Sequence, residues 1–129
     1  QLASANCQSH QLDNVEIFQS SWFAEITAQR FDLIVSNPPY IEDGDMHLTQ
    51  GDVRFEPASA LVSGTDGLDD LRLLIAESVN YLVDSGWLMV EHGYNQGPAV
   101  RELFEQAGFT QVETRRDLND LERITLGCC

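Results

Sequence analysis

The feature that most constrains the fold of this chain is a short apolar run, FDLIVS at residues 31–36, which ends at two prolines. A nearly continuous apolar run of this length is typical of a strand buried on both faces, as in a parallel sheet. Pro38 and Pro39 have no backbone N–H to donate to a neighbouring strand, so the sheet must end there. Ligands of open α/β sheets bind beyond the carboxyl ends of the strands. Residues 37–40 are therefore predicted to lie at a ligand site.

Strand and helix periodicities alternate along the chain and predict an α/β layered fold with a mostly parallel sheet. Residues 41–66 show no clear periodicity, and a segment of that length is either functional or disordered. The last two strands flank a polar turn, so we expect them to pair antiparallel at one sheet edge. The predicted elements are the end of a helix at residues 1–13, a strand at 15–18, the strand at 31–36, a helix from a cap at Thr65 or Asp66 to Gly86, a strand at 87–90, a helix from Pro98 to Gly108, and strands at 110–115 and 123–126.

The length of 129 residues and an apolar content of 43% predict one domain over residues 1–129. No apolar run approaches the roughly 18 residues that cross a bilayer. Residues 1–4 lack the charged and apolar regions of a signal peptide. Seven basic against 21 acidic residues give a net charge of −14. Because nucleic-acid affinity comes mainly from Lys and Arg on phosphates, this charge argues against a DNA partner and favours either solubility or a basic partner surface.

The cysteines Cys7, Cys128 and Cys129 are predicted to be free thiols, since their number is odd and adjacent cysteines close a disulfide only in a strained ring. Free thiols are typical of a reducing compartment, so we expect a cytoplasmic protein. The three histidines share no metal-ligand spacing, and no metal site is expected.

The polar groups of residues 37–40 indicate chemistry on a planar amide or amine. Asn37 offers a side-chain amide oxygen, and Pro38 offers a carbonyl with no competing N–H of its own. Together they can accept two hydrogen bonds from one NH₂ group, and Tyr40 adds an aromatic face that can stabilise a nearby positive charge. A weakly nucleophilic amide nitrogen needs orientation towards an electrophile more than it needs a strong base. The alternative is that the prolines only terminate the strand and Tyr40 packs on it.

The sequence FDLIVSNPPY at residues 31–40 resembles the fourth motif of amino-group methyltransferases that use S-adenosylmethionine. DNA adenine and ribosomal RNA guanine methyltransferases share its NPPY part, so this motif alone is moderately specific. Further matches extend the resemblance, over almost the whole chain, to the peptide chain release factor glutamine methyltransferases, the HemK/PrmC family. These matches are GDVRFEP at residues 51–57, Ala60-Leu61, Asp66-Gly67-Leu68, Glu91-His92-Gly93 and ERITLG at residues 122–127.

The resemblance implies transfer of a methyl group from S-adenosylmethionine to the side-chain amide of the glutamine in the Gly-Gly-Gln motif of class 1 release factors. All four residues of the NPPY motif would bind that glutamine amide: Asn37, Pro38, Pro39 and Tyr40. Three of them, Asn37, Pro38 and Tyr40, would be catalytic. Asn37 would also lie against the methyl donor, and Trp22 would line the adenosine pocket. The implied partners are release factors, with no DNA and no membrane.

Two departures from the family pattern concern the methyl donor. Ser21 stands where the family has Asp, and it would be a weaker acceptor if that Asp contacts the adenine amino group. The nine glycines contain no Gly-x-Gly-x-Gly pattern for the methionine part of the donor. The resemblance therefore implies the C-terminal part of a class I, Rossmann-like, three-layer methyltransferase domain, truncated at its N-terminus with the first two strands missing. We expect this chain alone to bind S-adenosylmethionine weakly or not at all and to be inactive.

Two other functions remain open, a nucleic-acid amino-group methyltransferase and a non-catalytic binding module. Arg54 and Glu56 either contact substrate or form ion pairs that order the loop. His92 follows a strand and is either a general base or a structural residue. Trp87 is predicted to lie in the core.

Overall fold

A computed structural model of the protein describes residues 1–49 and 53–129. Three short 3₁₀ helices, Met46–Thr49, Val53–Phe55 and Ala58–Ala60, lie in the segment without periodicity. The helices and strands are α1 (Leu2–Ser9), β1 (Phe31–Ser36), α2 (Asp69–Ser78), β2 (Leu82–Glu91), α3 (Gly97–Gln106), β3 (Thr110–Arg116) and β4 (Glu122–Cys128).

The four strands form one sheet in the order β1-β2-β4-β3. Strands β1 and β2 are parallel, whereas β4 is antiparallel to both β2 and β3. The antiparallel pair that we expected at one edge is thus confirmed. Within the described residues the sheet is mixed rather than mostly parallel, because β3 and β4 are joined by a tight turn and β4 enters the sheet beside β2.

The core lies between one face of the sheet and the helices α2 and α3. Two apolar residues of each helix face this core, since Leu71 and Ile75 of α2 and Val100 and Phe104 of α3 are all at most 1% exposed. Pro98 lies in the first turn of α3, where its missing N–H costs no helical hydrogen bond.

The opposite face of the sheet is partly exposed in the described residues. Leu33 and Val35 of β1 are 51% and 64% exposed, so the prediction that this strand is buried on both faces is wrong for the chain described. Trp87 pairs with Leu33 and lies on the same face, half-buried and outside the core. The described residues account for two of the three layers that the resemblance implies, the sheet and the layer of α2 and α3. No described helix is long and apolar enough to cross a bilayer.

Helix α2 begins later than its predicted caps because Gly67 turns the chain first, with a φ of +70°. The Asp66 carboxylate accepts a hydrogen bond from the Leu68 backbone N–H at 3.2 Å. The orphan N–H of Asp70 is instead satisfied by the Ser63 hydroxyl at 2.7 Å. The helix start is therefore capped by a residue that lies outside the predicted helix.

Helix α2 also ends earlier than predicted, because residues 82 and 83 belong to β2. The Phe31 backbone N–H donates to the Tyr81 carbonyl at 2.8 Å, and Phe31 pairs with Leu82 in the parallel ladder. Apolar residues at these positions fit a helical stripe and a buried strand equally well. The long-range pairing with β1 decides between the two.

Residues 15–18 form no strand, so that prediction is wrong. Val15 and Ile17 are both 45% exposed, and β1 pairs with β2 alone among the described strands. Alternating apolar residues become a strand only where a neighbouring strand supplies hydrogen bonds and burial.

The segment at residues 41–66 is held together at its two ends. Ile41 pairs with Val62 in an isolated parallel bridge, and the Asp43 N–H donates to the Gly64 carbonyl at 2.9 Å. Gly51 and Asp52 of the GDVRFEP match lie outside the described residues. The closed ends place this segment beside the carboxyl end of β1.

Candidate active site

The residues that follow β1 line an open cleft, as the sequence predicts. Pro38 is buried and Tyr40 half-buried, whereas Asn37 is exposed. The cleft has a volume of about 380 Å³ and is lined by Asn37, Pro38, Pro39, Tyr40, Ile41, Glu56, Ala60 and Leu61. Within residues 1–49 and 53–129, the Asn37 side chain takes part in no hydrogen bond, so its amide oxygen has no competing partner there. The structure thus brings all four NPPY residues together around one space.

Hydrogen bonds hold Tyr40 both at its side-chain hydroxyl and at its backbone carbonyl. Its hydroxyl donates a hydrogen bond to Glu91 Oε1 at 3.0 Å, and its backbone carbonyl accepts one from Gln96 Nε2 at 3.0 Å. Burial, together with the Glu91 carboxylate, raises the pKa of Tyr40 above its usual value of 10.0. The hydroxyl therefore stays protonated at neutral pH, and the contribution of Tyr40 to the cleft is its ring rather than a base.

Glu91 and Gln96 are two residues that the sequence reasoning did not assign to the site. Glu91 ends β2, and Gln96 directly precedes α3. Because β1 and β2 are parallel neighbours, their carboxyl ends meet at the same edge of the sheet. The sequence signal that could have predicted both contacts with Tyr40 is a polar residue at or after the end of β2, the parallel neighbour of β1.

Trp22, assigned to the donor by the resemblance, lies in a different cleft from Asn37. That cleft is lined by Ser21, Trp22, Phe23, Ala24, Leu73, Glu77, Asn80 and Tyr81. Trp22 is half-buried and has a φ of +50°, an uncommon backbone conformation for a non-glycine residue. Beside it, Phe23 stacks on Tyr81 with ring centroids 4.5 Å apart. The described chain does not bring Trp22 and Asn37 into one pocket, and the assignment of Trp22 stays a prediction.

Arg54 and Glu56 have different surroundings. Glu56 lines the same cleft as Asn37. The Arg54 guanidinium lies over the Phe55 ring, 4.6 Å from its centroid, and Phe55 is 75% exposed. Glu56 is therefore the member of this pair that can face a ligand at the end of β1.

His92 is fully buried in a directed chain of hydrogen bonds and is not a general base. Arg101 can only donate, so it gives a hydrogen bond to the Thr114 hydroxyl at 2.7 Å. Thr114 then donates to Thr125 at 2.8 Å, and Thr125 donates to His92 Nε2 at 2.9 Å. The Nδ1–H of the neutral ring donates to the Gly93 carbonyl at 2.9 Å. Both ring nitrogens are occupied, which leaves none to take a proton from a substrate.

The buried position of His92 predicts that the free energy of unfolding falls as the pH drops below 6.5. Burial lowers the pKa of His92 from its usual 6.5, against the Gly93 hydrogen bond and the Glu122 charge, and the charges of Arg101 and Arg123 lower it further. The folded protein then binds fewer protons than the unfolded chain, so this contribution to stability is fully present above pH 6.5 and is lost as the pH falls towards the lowered pKa.

Denaturant unfolding between pH 7 and pH 5 measures this dependence. In His92→Gln the slope of the free energy of unfolding against pH should flatten over that range. The matched variant His10→Gln changes an exposed histidine of the N-terminal segment and should keep the slope of the unchanged protein. An unaltered slope in His92→Gln would show that another group titrates.

A family model described as "Methyltransferase small domain" matches residues 1–65. Among curated proteins, the chain is 56% identical over 126 residues to a release factor glutamine methyltransferase of Pseudomonas aeruginosa and 52% identical over 126 residues to one of Escherichia coli. Each alignment covers 98% of this chain and 46% of the relative, so the chain spans about half the length of these relatives.

A solved structure of the release factor-specific protein-(glutamine-N5) methyltransferase of Alicyclobacillus acidocaldarius superposes with a TM-score of 0.50 at 26% identity. The superposition covers 78% of this chain and 50% of that one. It supports the methyltransferase fold class expected from the resemblance, and the relatives confirm the resemblance itself. Since the family model matches just over half of its residues, this chain belongs to the methyltransferase small domain family.

Proposed function

We propose that the protein to which this chain belongs transfers a methyl group from S-adenosylmethionine to the side-chain amide nitrogen of the glutamine in the Gly-Gly-Gln motif of class 1 release factors. In this proposal, residues 1–129 form the C-terminal part of its catalytic domain, and the protein works in the cytoplasm. The names of the relatives support the reaction class, and the chemistry of residues 37–40 supports an amide as the group that is methylated.

One observation carries the proposal. The Asn37 side-chain amide, which makes no hydrogen bond within the described residues, lies at the carboxyl end of β1 beside Pro38 and beside Tyr40, whose hydroxyl is hydrogen-bonded to Glu91. The Asn37 amide oxygen and the Pro38 carbonyl each accept a hydrogen bond from one N–H of the glutamine side-chain amide. These two hydrogen bonds orient the nitrogen lone pair. The face of the Tyr40 ring stabilises the positive charge developing on that nitrogen as it takes the methyl group, and the charge is lost when one of the two N–H protons leaves to solvent. Orientation of this kind can account for several kcal/mol of a barrier, roughly 7–11 in the best intramolecular cases.

The residues of this chain supply only part of a binding site for S-adenosylmethionine. S-adenosylmethionine, when bound, supplies an electrophilic methyl group. Asn37 is exposed at the strand end, where it can meet that group and the glutamine amide together. Trp22 lies in a separate cleft, and the nine glycines form no Gly-x-Gly-x-Gly loop. The contribution that we assign to this chain is therefore the acceptor side of the reaction.

A nucleic-acid amino-group methyltransferase is the second candidate, because such enzymes share the NPPY motif. The net charge of −14 disfavours it, since a DNA or RNA substrate would have to approach a surface with 21 acidic and seven basic residues. No observation on the described residues favours the third candidate, a non-catalytic module, over the enzyme.

A chimera tests the assignment. In it, this chain replaces the matching 126 residues of the Pseudomonas aeruginosa relative. With radiolabelled S-adenosylmethionine, label should pass to a class 1 release factor and be lost when the Gly-Gly-Gln glutamine is replaced by alanine. Duplex DNA and naked ribosomal RNA should stay unlabelled.

The unmodified Pseudomonas enzyme controls for the assay. Label on either nucleic acid with none on the release factor would move the assignment to the second candidate. A folded chimera that labels nothing, beside an active control, would refute the proposed activity of this chain.

A further inference from the structure

We propose that Gln96 is a positioning residue, which holds the Tyr40 carbonyl and thereby sets the NPPY segment for methyl transfer. The inference rests on the proposed function and extends it to a residue outside the NPPY motif. Gln96 is 7% exposed, lies between the end of β2 and the start of α3, and lines with Tyr40 a cleft that does not include Asn37.

The Gln96 amide joins three loops. Its Nε2 donates to the Tyr40 carbonyl at 3.0 Å and lies 3.3 Å from the Asp66 carbonyl and 3.4 Å from that of Gly67. Its Oε1 accepts from the Gly93 backbone N–H at 2.8 Å. One buried side chain thus connects the loop after β1, the loop before α2 and the loop after β2.

The backbone around Gln96 is shaped to admit these contacts. A Cβ at Gly67 would lie 2.4 Å from the Tyr40 carbonyl oxygen and 2.7 Å from Gln96 Nε2, and Gly67 has a φ of +70°. Only glycine permits both the backbone conformation and the close approach. Because the Tyr40 carbonyl and the Gln96 amide both require glycine at position 67, the distance between Tyr40 and the loop before α2 is closely specified.

The position of Tyr40 is transmitted to Asn37 through two rigid residues. Pro38 and Pro39 have φ angles locked near −65°, so a displaced Tyr40 carbonyl shifts the segment as a unit rather than being absorbed within it. A misplacement of about 1 Å between reacting groups can cost about a hundredfold in rate. Gln96 does not line the cleft of Asn37, so it acts through Tyr40 rather than on the substrate.

The test uses Gln96→Met in the chimera, a change that keeps the side-chain length and removes both hydrogen-bonding atoms. We expect kcat for release factor methylation to fall about tenfold or more, with KM for the release factor changed by less than about threefold. The matched control Gln106→Met changes a glutamine whose side chain bonds only the exposed Glu102 within the described residues, and it should leave both constants unchanged. A loss confined to KM would overturn the proposal.

A double-mutant cycle separates positioning from general destabilisation. If Gln96 acts by placing the NPPY segment, Gln96→Met should lower kcat by a smaller factor in the Asn37→Ala background than in the unchanged chimera, because one of the acceptors that Gln96 places is already gone. Losses that multiply independently would show that Gln96 acts elsewhere, and would overturn the proposal.

Hydrogen exchange gives a readout that needs no substrate. In Gln96→Met the amides of Ile41 and Asp43, which follow Tyr40 in the chain and donate to the carbonyls of Leu61 and Gly64, should exchange faster, while those of β4 do not change. If Gln96→Met fails to fold, Gln96→Glu should show the same pattern, because it keeps the side-chain size and an acceptor for the Gly93 N–H but has no N–H to donate to the Tyr40 carbonyl. Unchanged exchange at residues 41 and 43 in a folded variant overturns the proposal, whereas an unchanged-sequence chimera that cannot methylate a release factor refutes only the proposed function.

Discussion

Replacement of Asn37 by alanine is expected to lower release factor methylation by the chimera at least about a hundredfold while the protein stays folded. Asn37 is exposed, directly follows β1 and makes no side-chain hydrogen bond within the described residues, so alanine removes no hydrogen bond of the fold. It does remove one preorganised acceptor for the target amide. By analogy with the loss of an oxyanion-hole donor, the cost in the transition state is roughly 2.7–4 kcal/mol.

Initial rates with saturating release factor measure this effect, and circular dichroism checks the fold. Asn119→Ala is the matched control, because Asn119 is also exposed but lies in the turn between β3 and β4. Turnover close to that of the unchanged chimera would remove Asn37 from the mechanism and with it the central observation behind the proposed function.

Phe104→Ala is expected to lower the free energy of unfolding of the 129-residue chain by about 3–5 kcal/mol. Phe104 is 0% exposed, and its ring lies 5.0 Å from that of Phe109. A Cβ at Gly127 would come within 2.7 Å of the Phe104 ring, so the ring packs directly against the backbone of β4. Backbone on one side and a second ring on the other leave little room for collapse into the cavity.

Guanidinium unfolding followed by circular dichroism tests this value. The control Leu118→Ala removes a side chain that is fully exposed in the turn after β3, and it should change stability by less than about 0.5 kcal/mol. A cost below about 1 kcal/mol for Phe104→Ala would mean that the packing of α3 on the sheet is looser than described.

Much of the fold could be predicted from the local sequence. The prolines at residues 38 and 39 end β1 because they lack an N–H, whatever the surroundings. Helix α3 follows its apolar stripe, and the pairing of β3 with β4 follows from a short turn between two strands. The same reasoning located the cleft at residues 37–40, since a strand end in an α/β sheet is where ligands bind.

Other predictions failed where a local pattern had two solutions. Residues 82 and 83 satisfy a helical stripe and a strand alike, and only pairing with β1 makes them part of β2. Residues 15–18 alternate as a strand does, yet no described strand pairs with them. Periodicity reports which side chains can share a face, but a strand forms only when a second strand is present.

The sequence by itself determined the residues that can act on an amide, because their chemistry depends on residue type and on the strand end that they follow. Only the tertiary structure decided their surroundings: the Glu91 carboxylate on the Tyr40 hydroxyl, the Gln96 amide on its carbonyl, and His92 bonded at both ring nitrogens. Tyr40 and Gln96 are 56 positions apart in the chain. A hydrogen bond between residues so distant in sequence leaves no local periodicity, because it exists only after the sheet has brought the ends of β1 and β2 together.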